Sequence, residues 1–342
     1  MTTTATRIVL ASRPKGEPTA ADFRLEQAPL PAPAHGQVLL RNLYLSLDPY
    51  MRGRMNAGRS YVPPIAIDEV MDGGTVSEVL ESAHPQWKPG DLVLAAGGWQ
   101  THVLVDGGTL RRRLDPEDAP LTTALGVYGM PGFTAYAGLR EIGKPKAGET
   151  LVVAAAAGPV GATVGQIARL QGARVVGIAG GAEKVAWLRG ELGFDAAIDH
   201  RAPDFAEQLR AAAPDGIDVY FENVGGKVFD AGLPLLNDFA RIPLCGVAAH
   251  YNATALPEGP DRVPLLLTVA LQRRITLRGF IQFDFMHLYP EFLRELGTWL
   301  REGRMRYRED FVDGLENAPQ GLVGMLRGDN FGKRIVRIAA PG

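Results

Sequence analysis

The residues best placed to do chemistry lie in Leu151-Val152-Val153-Ala154-Ala155-Ala156-Ala157-Gly158-Pro159-Val160-Gly161. An apolar run with β-branched residues turns through small residues into a helix-forming segment. That arrangement brings backbone N–H groups close to a pyrophosphate. Gly158 and Gly161 leave the backbone open to approach, and Pro159 suits a first helical turn, where a missing N–H costs little. The spacing Ala155-x-x-Gly158-x-x-Gly161 departs from the commoner G-x-G-x-x-G fingerprint, so the strand before it, the helix after it and the later strands carry the assignment.

In enzymes that bind NAD, the second strand of such a unit ends with an acid for the ribose 2′-hydroxyl. Here it ends Ile178-Ala179-Gly180-Gly181, and Ala182-Glu183-Lys184 follows. With no acid at the tip and Lys184 able to reach a 2′-phosphate, NADP is favoured over NAD. Glu183 reads as a first-turn acid that complements the helix dipole. His200, in Ile198-Asp199-His200-Arg201 at the end of the third strand, is a further candidate for that phosphate, weighed against an ordinary loop histidine.

The elements that must position these residues follow from pattern. The first third reads as short strands between Pro and Gly turns, at 7–11, 23–26, 38–45, 74–80, 91–95 and 102–105. From about Ala119 the pattern changes, with helices expected over 121–127 and 132–139. Six strand-like runs near 150–155, 173–179, 195–198, 217–222, 238–245 and 274–281 then alternate with helical segments. This is the signature of a doubly wound parallel sheet in an α/β protein. An amphipathic helix over 288–302, another near 314–326 and a last strand over 333–338 complete the chain. That last strand needs an edge outside the six-stranded sheet, so the chain is expected to return to its first domain: 1–125 with 310–342, and 126–309 between them.

The formal net charge of -2 gives no basic footprint for nucleic acid. The polar start and the longest apolar run, 263–271, interrupted by Pro264, suit neither a signal peptide nor a membrane span. Cys245 is the single cysteine, which rules out a disulfide framework and a zinc site built mainly from thiolates. A cytoplasmic enzyme without metal is expected.

The segments Leu45-Ser46-Leu47-Asp48-Pro49-Tyr50-Met51-Arg52, Met130-Pro131-Gly132-Phe133-Thr134-Ala135-Tyr136, Ala155 to Gly161, Phe221-Glu222-Asn223-Val224-Gly225-Gly226 and Gly328-Asp329-Asn330-Phe331-Gly332-Lys333 occur in this order along the chain. Together they resemble the zinc-independent medium-chain dehydrogenase/reductase family, in its leukotriene B4 dehydrogenase, prostaglandin reductase and 2-alkenal (curcumin) reductase branch. The resemblance implies a GroES-like β-rich domain, a Rossmann domain with a six-stranded parallel sheet, a homodimer, and reduction of α,β-unsaturated ketones and aldehydes by NADPH. By motif it implies a phosphate loop of Gly158, Pro159, Val160 and Gly161, a 2′-phosphate lysine at Lys184, and cofactor contacts at Asn223, Cys245, Gly246, Val247, Tyr251, Phe280, Ile281, Gln282 and Asn330. His200 stands where the family usually has a tyrosine, and Val247-Ala248-Ala249 replaces a segment that commonly carries a serine.

Hydride transfer to a conjugated β-carbon needs no metal, because the charge moves to the carbonyl oxygen as an enolate, which hydrogen-bond donors then stabilise. Tyr251 is the candidate donor, weighed against a plain turn residue. Tyr50 is the candidate substrate contact, weighed against packing, and for Arg52 a surface ion pair is weighed slightly above a substrate contact. Cys245 reads as a packing residue rather than a nucleophile. A quinone reductase, or a cofactor-binding protein with little catalysis, remains as an alternative.

Overall fold

A computed structural model describes residues 3–340. It divides into two compact units, Met1–Gly126 with Glu309–Gly342, and Val127–Arg308.

In the first unit, β1 (Thr3–Leu10) and β2 (Phe23–Leu30) form an antiparallel pair. Next come β3 (Gln37–Ser46), one helical turn α1 (Tyr50–Arg54), β4 (Thr75–Ser82), β5 (Leu92–Ala95), β6 (His102–Asp106) and β7 (Arg112–Leu114). Turn chemistry separates these strands. At Lys88-Pro89-Gly90-Asp91, Gly90 takes φ 89° and the Asp91 carboxylate accepts the Lys88 N–H, which aims the chain into β5.

The second unit opens with α2 (Met130–Gly138), then runs β8 (Thr150–Val153), α3 (Pro159–Leu170), β9 (Arg174–Ala179), α4 (Ala182–Gly190), β10 (Ala196–Asp199), α5 (Phe205–Ala212), β11 (Ile217–Phe221), α6 (Gly226–Gly232), β12 (Leu236–Leu244), α7 (Val263–Arg273), β13 (Thr276–Gly279) and α8 (Tyr289–Arg301). Six parallel strands lie in the order β10-β9-β8-β11-β12-β13. The central β8 is buried along its whole length, as an apolar strand covered on both faces must be. Strand order reverses at β8, so its carboxyl end is the switch point where such sheets bind ligands.

The tail adds β14 (Glu309–Asp313), α9 (Ala318–Arg327) and β15 (Lys333–Arg337) to the first unit. Its larger sheet runs β14-β15-β3-β4-β5-β7, with β6 also on β3. Val38, Leu39, Leu40, Leu43 and Leu45 make β3 apolar on both faces, and all are buried.

Several expectations are corrected. The helix expected over 121–127 is a short 3-10 turn, Leu121–Leu125, ended by Gly126 at φ -124°, ψ -115°. The helix expected over 314–326 is a 3-10 turn, Leu315–Asn317, followed by α9. The apolar run at 263–271 is helical, and Pro264 opens α7 rather than interrupting it. Strands β7 and β14 gave no signal because Arg112-Arg113-Leu114 and Glu309-Asp310-Phe311-Val312-Asp313 are too charged to show a buried face.

Candidate functional site: a dinucleotide cradle and its neighbours

The candidate phosphate loop leaves β8 and doubles back at Ala155, which adopts φ 52°, a conformation unusual for a residue with a side chain. The turn is held from both sides. Ala154 N–H donates to Phe221 O at 3.2 Å, Ala156 N–H to Ile178 O at 2.8 Å, and Gly158 N–H to Ala155 O at 3.0 Å. Gly158 caps α3 and Pro159 opens it, so the first N–H groups of that helix have no partner within it. A Cβ on Gly161 would stand 2.5 Å from Ala155 O and 2.7 Å from Ala156 Cα, so this glycine is required for the helix to pass against the loop. A Cβ on Gly158 would meet only Ala155 O, at 3.4 Å, which leaves the approach to the loop open.

At the tip of β9, Gly180 and Gly181 precede α4, and Lys184 lies half-buried in that helix's first turn. Glu183 is exposed, 3.7 Å from Arg308, a pair of little energetic consequence. His200 is tied to the same tip by its N–H to Ala179 O at 3.0 Å. Its Nε2 would lie 2.9 Å from a Cβ on Gly180, and its Nδ1 is buried with no hydrogen-bond partner. Burial, then the positive charges of Lys227 and Arg201, hold the imidazole below its ordinary pKa, against the opposing pull of Asp199. These features fit a nucleotide with a 2′-phosphate: β9 ends without an acid of its own, and Lys184, Arg201 and Lys227 stand against the neighbouring carboxylate of Asp199.

The end of β11 supplies the next wall. Asn223 Nδ2 donates to Ala154 O at 2.8 Å, so its side chain braces the phosphate loop. Glu222, 2 % exposed, accepts the Val224 and Gly225 N–H groups on Oε1, while its main-chain oxygen accepts those of Cys245 and Gly246. Burial raises the Glu222 pKa. Sequence reasoning had no means of finding this carboxylate, since its partners are backbone groups. The Cys245 thiol, pushed up to about 12 by burial and by Glu222, stays protonated and suits packing.

The segment after Cys245 is laid along Asn223-Val224 by the Ala248 N–H to Asn223 O, 3.1 Å, and the Ala249 N–H to Val224 O, 2.9 Å. Val247 is exposed at 39 %. A Cβ on Gly246 would sit 3.0 Å from the Tyr251 hydroxyl, so the absent side chain is what lets that phenol lie over the backbone here. Past β13, the ring of Phe280 packs edge-on against Phe221 at 6.2 Å and is 6 % exposed, and its N–H donates to Leu244 O at 3.3 Å. Ile281 is half-buried and Gln282 buried.

In the first unit, Tyr50 opens α1 and its hydroxyl donates to Asp72 Oδ2 at 3.3 Å; Arg54 also pairs with Asp72. Burial and the carboxylates of Asp72 and Asp48 keep this phenol protonated, well above its usual pKa. Arg52 corrects its expectation. It is 2 % exposed and so not a surface charge, and its donations include those to Gly16 O and Asn56 Oδ1, both at 2.7 Å. Asn330 Nδ2 donates to Gly332 O at 2.8 Å. Lys333, buried, donates to Leu47 O at 2.5 Å and Asp48 Oδ1 at 2.8 Å, just ahead of Tyr50. Both segments are visible in the sequence, but their pairing across 285 residues is not. Among the described residues, no group of three or more His, Cys, Asp or Glu side chains is placed to hold a metal ion.

A dinucleotide-binding sheet inserted into a β-rich unit whose last strand returns to it is the architecture of a medium-chain dehydrogenase/reductase. Residues 6–112 match the family described as N-terminal domain of oxidoreductase, and residues 159–298 the family described as zinc-binding dehydrogenase. The chain is 59% identical to the NADPH-dependent curcumin reductase of Escherichia coli (strain K12) over 97% of this chain and 96% of that one. It is 39% identical to the 2-alkenal reductase (NADP(+)-dependent) of Nicotiana tabacum over 97% of each. Its fold matches the crystal structure of CurA in complex with NADPH from Vibrio vulnificus with a TM-score of 0.94 and 56% identity, covering 98% of this chain and 100% of that one. The chain belongs to the zinc-independent branch of the medium-chain dehydrogenase/reductase family, with the curcumin, 2-alkenal and prostaglandin reductases.

Proposed function

We propose that this protein is an ene-reductase that uses NADPH to reduce the carbon–carbon double bond of α,β-unsaturated ketones and aldehydes. The observation that carries the reading is the strand tip Ala179-Gly180-Gly181, without an acid and with Lys184 in the helix that follows, in a chain 59% identical to an NADPH-dependent reductase. NADPH, when bound, supplies the hydride that the substrate's β-carbon receives. The Val160 and Gly161 N–H groups at the start of α3, which the turn through Gly158 and Pro159 presents, receive the pyrophosphate, while Lys184 and the tip beside His200 receive the 2′-phosphate. Asn223, Cys245, Gly246, Val247, Phe280, Ile281, Gln282 and Asn330 complete the cofactor contacts, chiefly through backbone where side chains are buried. The Tyr251 hydroxyl donates to the carbonyl oxygen as enolate charge gathers there, water delivers the proton to the α-carbon, and Tyr50 touches the substrate.

We further propose a homodimer in the cytoplasm. Strand β13 forms one edge of the six-stranded sheet with all four residues exposed, and Leu267, Leu271 and Leu277 are exposed at 62%, 80% and 41% on and beside it. A bare edge with apolar flanks is what a second copy would cover. The single cysteine accords with a reducing compartment. No described helix is long and apolar enough to cross a membrane.

The test is incubation with NADPH and a panel of enones, 2-alkenals and quinones, with product analysis. A saturated ketone or aldehyde supports the reading. Hydroquinone as the only product, or no loss of nicotinamide absorbance across the panel, overturns it.

A further inference from the structure

The tip of β9 carries a cation that its position in the sequence did not single out. Arg201 follows His200 directly, and its guanidinium lies across the Gly180–Gly181 backbone. A Cβ on Gly180 would stand 3.1 Å from Arg201 Nε and 3.3 Å from its Cζ, and one on Gly181 would stand 3.9 Å from its Nη1. The Arg201 N–H is fixed by the Asp199 carboxylate at 2.9 Å, which sets where the side chain starts. Among the described residues the guanidinium itself has no ion-pair partner, and the side chain is exposed. Lys184 rises from the same tip in the first turn of α4.

We propose that Arg201 is a specificity residue which, with Lys184, grips the 2′-phosphate of NADPH at the Gly180–Gly181 tip. The proposal rests on the NADPH reading above. A planar guanidinium presents two parallel N–H donors to phosphate oxygens, a fit that a lysine ammonium does not reproduce. Gly180 has to be bare for that plane to lie over it, so the missing acid and the missing side chain serve one arrangement. The Asp199 carboxylate takes the Arg201 and Gly181 N–H groups, so it holds the backbone on both sides of the tip while the guanidinium lies over the glycines. Lys227 adds a positive charge that His200 feels. The imidazole, crowded by two cations, then acts as a neutral floor to the site while the cations carry the charge contact.

Binding without turnover tests this. Titration calorimetry on the full chain measures 2′,5′-ADP, NADPH and NADH against the wild type, Arg201→Ala and Arg201→Lys. Arg201→Ala is expected to weaken 2′,5′-ADP and NADPH about tenfold, as loss of a charge-assisted contact does, and to leave NADH unchanged. Arg201→Lys recovers part of the loss. Equal weakening of NADPH and NADH, or an unchanged 2′,5′-ADP affinity, overturns the assignment. Because no reaction is read, a wild type that binds 2′,5′-ADP yet reduces no enone counts against the reductase reading alone.

Discussion

Lys333 Nζ stands 2.8 Å from Asp48 Oδ1, and the two side chains are only 3% and 6% exposed. The pair joins the first residue of β15 to the segment that presents Tyr50. Burial lowers the Lys333 pKa, and the Asp48 carboxylate opposes that shift. Lys333→Met, which leaves the buried Asp48 carboxylate without its counter-charge and with the Ser46 hydroxyl as its donor, is expected to lose about 3–5 kcal/mol of stability in urea unfolding. A loss within about 0.5 kcal/mol, the range of ordinary surface changes, would show that Asp48 finds another partner.

Tyr251→Phe removes the proposed donor to the enolate while keeping the ring over Gly246. The expected outcome is a fall in kcat on enones of about a hundredfold, with the affinity for NADPH little changed. Unaltered kcat would reduce Tyr251 to a packing role and shift attention to the hydroxyl of Tyr50.

Lys184→Ala is expected to raise KM for NADPH far more than for NADH, with kcat little changed. The contact is remote from the chemistry and stabilises ground and transition states alike. Steady-state kinetics with both cofactors measure it, and equal effects on both would remove Lys184 from the phosphate site.

His200 gives a pH signature. Its folded pKa lies below the ordinary value of 6.5, because of burial, Lys227 and Arg201. A group of this kind gains protons in the unfolded chain first, so stability is full above the unfolded pKa and declines as pH falls below about 6.5. For the same reason the imidazole is already neutral at physiological pH. The preference for NADPH over NADH is therefore expected to stay flat from about pH 7 to about pH 8.5, and His200→Gln to change it little there. A preference that drops steadily across that window in the wild type, but not in the variant, would make His200 a charged ligand after all.

The exposed edge of the parallel sheet gives the last prediction. Leu277→Arg on β13 places a charge on the proposed dimer face, and sedimentation velocity is expected to show a monomer with NADPH binding retained. A variant that still sediments as a dimer would move the interface elsewhere.

What was legible in the sequence divides along physical lines. The parallel sheet announced itself because its central strands are buried on both faces, so β8 and β9 are apolar nearly throughout. The absence of an acid after Ala179 was readable because it lies at a fixed place in a βαβ unit. Residues whose meaning depends on distant backbone were not readable. Arg52 looked like surface charge because nothing local marks the Gly16 carbonyl that receives it. Glu222 gave no sign of its role because its partners are main-chain N–H groups. Lys333 and Asp48 each sat in a visible motif, yet only the fold brings them together. The charged edge strand β14 pairs along β15 through its backbone, which needs no apolar alternation.

The position of β15 between β14 and β3 also orders events during synthesis. When the ribosome has completed Val127–Arg308, those residues already hold all six strands of their sheet, whereas β3 still lacks the neighbour encoded in the last residues of the chain. The inserted unit can therefore finish folding first, while the earlier-made β-rich portion still carries an open, apolar strand edge. Nascent chains stalled before Lys333 are the species in which chaperone capture should concentrate.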